Sequence, residues 1–134
     1  MSEENVEIVR STLDGFAAGD RERMLASVDP EIVIDASRRV FNPRTYEGID
    51  GVRRMLADMG EAWEEIRIQQ REFIDAGDRV AVIGRLTGKG KGSGVEVERP
   101  VNGQVWTVRN GRIVRLEFGF TDRKATLEAA GLSE

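Results

Sequence analysis

Apolar residues recur at helical spacing only in the first half of the chain. Val6, Val9, Leu13 and Phe16 stand at i, i+3, i+7 and i+10, which predicts an amphipathic helix. Gly19 ends it. Asp20 is placed to cap a second, short helix that carries Met24, Leu25 and Val28 and stops at Asp29-Pro30. "EIVIDAS", 31–37, then reads as a strand heading inside, and "SRRVFNPRTYEG", 37–48, as an irregular stretch. Asp50 is placed to cap a third helix, with Val52, Met55, Leu56, Met59 and Trp63 on its apolar face.

The second half alternates with a period of two. Residues 65–75 form one strand and turn at Gly77-Asp78; "RVAVIGRL" forms the next. "GKGKGSG", 88–94, is a connector, and "VEVERPVNGQVWTVR" a long strand bent at Pro100 and Asn102-Gly103. Asn110-Gly111 between two alternating runs predicts a type I′ hairpin, with "RIVRLEFGF" as the return strand. Asp122 caps a last short helix that Gly131 stops. Helices followed by bunched strands imply an α+β domain. A curved, mostly antiparallel sheet wrapped around the three N-terminal helices would leave a one-ended cavity between the two layers.

Composition narrows the chemistry. The chain has 134 residues, which reads as one domain over 1–134, and a third of it is charged. The net charge of −4 argues against a nucleic-acid partner. No apolar run reaches the ~20 residues of a membrane span, and no signal segment is recognisable, so the cytoplasm is expected. Cysteine and histidine are both absent, which removes thiol nucleophiles, thiolate or imidazole metal sites and the commonest general base. "EAWEE", 61–65, has carboxylates without metal spacing and reads as a solvated helix end. Neither a metal nor a cofactor is called for. "GKGKGSG" fails the spacing of a phosphate-binding loop and reads as a hairpin tip.

Asp35 stands where the strand pattern asks for an apolar residue. Its neighbours Ile32, Val33 and Ile34 would lift its pKa toward that of a working general base. The alternative is a strand-end aspartate that caps its own loop or pairs with Arg38, Arg39 or Arg85. Arg85 shares a strand face with Ala81, Ile83 and Thr87. If that face looks into the cavity, Arg85 needs an anionic partner, either Asp35 or a ligand. Phe16, Tyr46, Trp63, Trp106, Phe118 and Phe120 could line a pocket for a flat hydrophobic molecule. Leu116, Phe118 and Phe120 are read on one face, and Gln104, Trp106 and Val108 on the facing one. Each aromatic taken alone is also a plain core residue.

Four stretches, "FAAGDRERMLASVDPEIVID", "YEGIDGVRRML", "GDRVAVIGRLTGKGKGSG" and "VWTVRNGRIVRLEFGFTD", resemble the nuclear-transport-factor-2-like superfamily in its bacterial SnoaL-like branch, over roughly residues 4–131. The resemblance implies a cone-shaped fold whose pocket takes a small hydrophobic molecule. The family includes isomerases, dehydratases, hydrolases, cyclases and proteins without catalysis. In ketosteroid-isomerase-like members the base sits where Asp35 stands, but the helix and strand partners that hold the enolate oxygen look like Thr12 and Gln104 here. In epoxide-hydrolase-like members an Arg-x-Asp is matched by Arg85 to Thr87, without the acid. Phe118 takes the place of the last-strand acid used there and in the polyketide-cyclase-like members. Asp35 with Arg85 as a catalytic pair, and a binding module without catalysis, are both compatible with the chain. The resemblance also implies a homodimer through the sheet's outer face, where Arg115, Glu117 and Gly119 lie.

Overall fold

A computed structural model describes residues 2–39 and 43–133. Helix α1 (Ser2–Ala18) and helix α2 (Arg21–Leu25) are separated by Gly19 at φ +70°, and the Asp20 carboxylate accepts the Arg23 amide as a cap. Val28 lies outside α2 and opens strand β1 (Val28–Asp35), which runs straight through Asp29-Pro30. The stretch read as irregular contains a short strand, β2 (Thr45–Glu47), while residues 40–42 of it lie outside the described residues. Helix α3 (Gly48–Ala62) is entered from Glu47 without a side-chain cap; Asp50 sits in its first turn and pairs with Arg53. Trp63 is the helix's C-cap and the first residue of β3 (Trp63–Ala76). Strand β4 (Arg79–Gly90) absorbs the first half of the glycine-rich connector. Strands β5 (Glu96–Arg109) and β6 (Arg112–Phe120) meet at Asn110-Gly111, whose φ values of +52° and +76° are those of a type I′ turn. Helix α4 (Arg123–Ala129) follows, capped by Asp122.

The six strands form one curved, open sheet in the order β2-β1-β6-β5-β4-β3. All neighbours are antiparallel except β1 and β6. Register slips at Gln69–Glu72 of β3 against β4, at Gly84–Leu86 of β4 against β5, and at Gly103–Gln104 of β5 against β6 bend the long strands. Alternation assigns the faces. Ile32, Ile34, Val80, Val82, Trp106, Val108 and Leu116 join Val9, Leu13, Met24 and Val52 in the main core, so this inner face packs on α1, α2 and α3. Ala81, Val105 and Phe120 face the other way and pack with Ala125, Ala129 and Ala130 of the C-terminal helix region. A slip of β1 by one residue would expose Ile32 and Ile34, at about 2 kcal/mol each, and turn Asp35 inward.

Phe120 departs from the expected face. Gly119, at φ +96°, is an extra residue opposite Gly103–Gln104. It leaves Leu116 and Phe118 inside and turns Phe120 outward, beneath the Arg38 guanidinium 4.1 Å from its ring centre. No helix among the described residues is long and apolar enough to cross a membrane.

Candidate functional site

Asp35 and Arg85 both project from the outer face and are held by different partners. Asp35 alternates with the core residues Ile34 and Ala36 and lies in register with Glu117. Its Oδ1 accepts the Ser37 amide at 2.9 Å and the Ser37 hydroxyl at 2.5 Å. Its Oδ2 faces Arg38 at 3.6 Å and Arg115 at 3.5 Å. The Ser37 hydroxyl is the largest influence and pulls its pKa below the ordinary value; partial burial opposes this, and the Ser37 amide, Arg38 and Arg115 reinforce it. Arg85 pairs with Glu98, at 2.7 Å from Nη2, and that pairing raises its already high pKa. The strand face that looks inward is that of Val80 and Val82, and Gly84 continues it: a Cβ there would strike Ile68. The set containing Arg85 is the outward one.

The inner face carries a different polar group. Tyr46 stands in register with Ile34 and is almost fully buried. Its hydroxyl donates to Asp58 Oδ2 of α3 at 2.6 Å and accepts from Arg39 Nη2 at 2.7 Å. Arg44 and Arg54 approach the same carboxylate at 3.4 and 3.5 Å. The Arg39 guanidinium lies 5.4 Å from the Tyr46 ring centre and 6.0 Å from that of Phe118. Burial raises the Tyr46 pKa, and the Asp58 bond adds to it against the pull of Arg39. The Tyr46 hydroxyl bond lowers the Asp58 pKa most; burial opposes it, and Arg44, Arg54 and Arg39 reinforce it. The resting state is therefore a neutral phenol, a carboxylate and three guanidinium groups. A phenol has one proton to give, and this one goes to Asp58.

Apolar side chains continue the inner face. Phe118 is half-buried beside Arg39, while Trp106 is core and donates its indole Nε1–H to Gln104 Oε1 at 3.0 Å. Phe16 and Met55 are half-buried against the main core. Trp63 is half-buried with its ring across Gly88, where a Cβ would meet the indole at 2.8 Å. Thr12 returns its hydroxyl to the Ile8 carbonyl of its own helix. Of the aromatic residues expected in a pocket, Phe16, Tyr46, Trp63, Trp106 and Phe118 share the inner face and Phe120 does not. Asp58 was not singled out by sequence pattern, although a carboxylate wedged between Met55 and Met59 on the apolar flank of α3 is the signal that marks it. Two hollows open elsewhere. One, of about 240 Å³, is lined by Val33, Arg79, Thr107 and Arg115 among others on the outer face; the other, of about 280 Å³, lies by Pro100 and Thr121. No group of acidic side chains among the described residues is arranged to hold a metal ion.

Comparison with known proteins places these features in a family. The model of the SnoaL-like domain matches residues 9–116. Among curated proteins none matches. A nuclear-transport-factor-2-like protein of unknown function from Burkholderia pseudomallei is 26% identical, with a TM-score of 0.77 over 96% of both chains. TerC, crystallised with polyporic acid, is also 26% identical, with a TM-score of 0.76 over 96% of this chain and 98% of its own. A candidate polyketide cyclase from Xanthomonas campestris, 19% identical, shares the fold with a TM-score of 0.75 over 87% of this chain and 90% of its own.

Proposed function

The chain belongs to the SnoaL-like domain family, and on that premise we propose that it binds a small, flat, acidic aromatic molecule on the inner face without transforming it. The observation that carries this reading is the protonation state of the Arg39–Tyr46–Asp58 group. A general acid or base works best with a pKa near the working pH. Here the Tyr46 hydroxyl bond holds the Asp58 carboxyl below its ordinary value and burial raises the Tyr46 phenol, so neither group is moved toward the working pH. Such a group recognises charge rather than moving protons. Guanidinium N–H groups suit a carboxylate or an acidic enol, and Phe118 and Trp63 offer flat apolar surface. TerC, with its polyporic acid, supports the same ligand class. Asp35 as a general base draws less support, because its partners favour the anion and it faces away from this group.

The outer face is proposed as the seat of a second copy. Arg115 and Arg38 stand there beside Asp35 and Glu117, a mixed charge pattern that a two-fold axis can set against itself.

The test is a titration with 2-hydroxy-1,4-naphthoquinone, a flat acidic enol, followed by tryptophan fluorescence and by mass spectrometry of the recovered quinone. Saturable quenching with the quinone recovered intact is expected, weakened about tenfold in Arg39→Gln, the loss of one charged hydrogen bond. A steady conversion of the quinone would overturn the non-catalytic reading, and an absence of saturation would overturn the ligand class.

A further inference from the structure

One row of residues crosses four strands on the outer face. Val33 of β1, Arg115 of β6, Thr107 of β5 and Arg79 of β4 are successive register partners. The next row, Ile34, Leu116, Trp106 and Val80, points into the main core. Adjacent strands lie ~4.8 Å apart, so Arg79 and Arg115 leave the backbone roughly 10 Å from each other, with the smaller Thr107 between them. Val114 is an extra residue of β6, where the pairing passes from Thr107–Arg115 to Val108–Ile113, and this bulge bends the strand beside the row. Here lies the outer-face hollow of about 240 Å³, with Val33 and Val114 as apolar wall and Arg79, Arg109 and Arg115 around Thr107.

Its charge is unbalanced. Glu117, the acid of its lining, and the neighbouring Asp35 each face the same two guanidinium groups, Arg38 and Arg115, at 3.5 to 3.7 Å. The two acids thus hold Arg115 in place and are shared with Arg38. Among the described residues Arg79 and Arg109 face no carboxylate; Arg79 donates Nη1 to the Ala129 carbonyl at 3.4 Å. Four guanidinium groups against two carboxylates leave an excess of two positive charges at a concave surface. Like charges gathered on one sheet face repel each other, and a bound anion relieves that repulsion.

We propose that this hollow binds a phosphate group, held by Arg79, Arg109 and Arg115, with the Thr107 hydroxyl as a further donor. A phosphate group carries up to two negative charges and three terminal oxygens, which suits several guanidinium forks at once. The proposal does not depend on the inner-face ligand. Where two outer faces pair, the anion also offsets the positive charge that pairing brings together.

The test is calorimetric titration with inorganic phosphate and with phenyl phosphate at constant ionic strength. Saturable binding at one site per chain is expected. Tighter binding of phenyl phosphate assigns a phosphate ester, whose ring would lie on Val33 and Val114; equal binding assigns the free anion. Arg109 is exposed, so Arg109→Gln keeps the fold and should weaken binding about tenfold, the loss of one charged hydrogen bond. Arg109→Lys should recover part of that loss, and Thr107→Val, which leaves the charge unchanged, should weaken binding several-fold. Arg21→Gln removes the same charge from α2, across the sheet, and should bind within twofold of the unaltered protein. No saturable binding of either probe by the unaltered protein, or an equal loss in Arg21→Gln and Arg109→Gln, would overturn the site.

Discussion

Asp35 shows how far a single residue can be read from its neighbours in sequence. The apolar run Ile32–Ile34 marks a buried strand, yet alternation puts Asp35 on the face opposite Ile34, and its environment comes from Ser37, Arg38 and Arg115. The arginine from β6 is eighty residues away in the chain and invisible to local pattern. The lowered pKa decides the sign of a stability effect. A depressed folded-state value stabilises the fold above the ordinary value of 3.8, and that contribution is lost as pH falls through the folded value. Asp35→Asn should therefore destabilise the protein in urea at pH 7 by about 1 kcal/mol, and the difference between the two proteins should shrink at pH 3. A mutant as stable as the parent at pH 7 would mean that the carboxylate is not held by these partners. Tyr46→Phe tests the inner group. It removes the bridge between Asp58 and Arg39, and should cost about 1 kcal/mol in the same melts while weakening quinone binding more than Asp35→Asn does.

At the scale of elements, most of the order was legible because it is local. Helical spacing, the Asp20 and Asp122 caps and the Asn110-Gly111 turn each state their structure within a few residues. What escaped depends on pairing. The β2 strand exists because Tyr46 pairs with Ile34, and Phe120 faces outward because Gly119 adds a residue opposite β5. Gly103 is a further case: a Cβ there would overlap the Thr126 side chain of α4. Gly103→Ala should push α4 off the outer face and cost about 1–3 kcal/mol in thermal or urea melts. Gly60, in α3, has open space at its Cβ position, so Gly60→Ala should stabilise by about 0.5–1 kcal/mol through helix propensity. Equal effects at the two glycines would contradict the packing of α4 on β5.

At the scale of the whole molecule, one sheet separates two environments. The inner face carries the main core and the Arg39–Tyr46–Asp58 group; the outer face carries α4 and the ion pairs around Asp35. Pairing of outer faces predicts a species of twice the monomer mass in light scattering at micromolar concentration, and a monomer there would contradict it. The aromatic character of the inner face was legible, but its polar end was not, since Asp58 and Arg39 come together only when α3 folds back over the sheet. Which face holds the ligand is decided most directly by amide and side-chain NMR shifts during titration with 2-hydroxy-1,4-naphthoquinone. Binding on the inner face predicts saturable shifts at Arg39, Tyr46, Gln104 and Phe118, with Ser37 and Arg115 unmoved. Shifts centred on Asp35, Ser37 and Arg115, with the inner set unmoved, would contradict it.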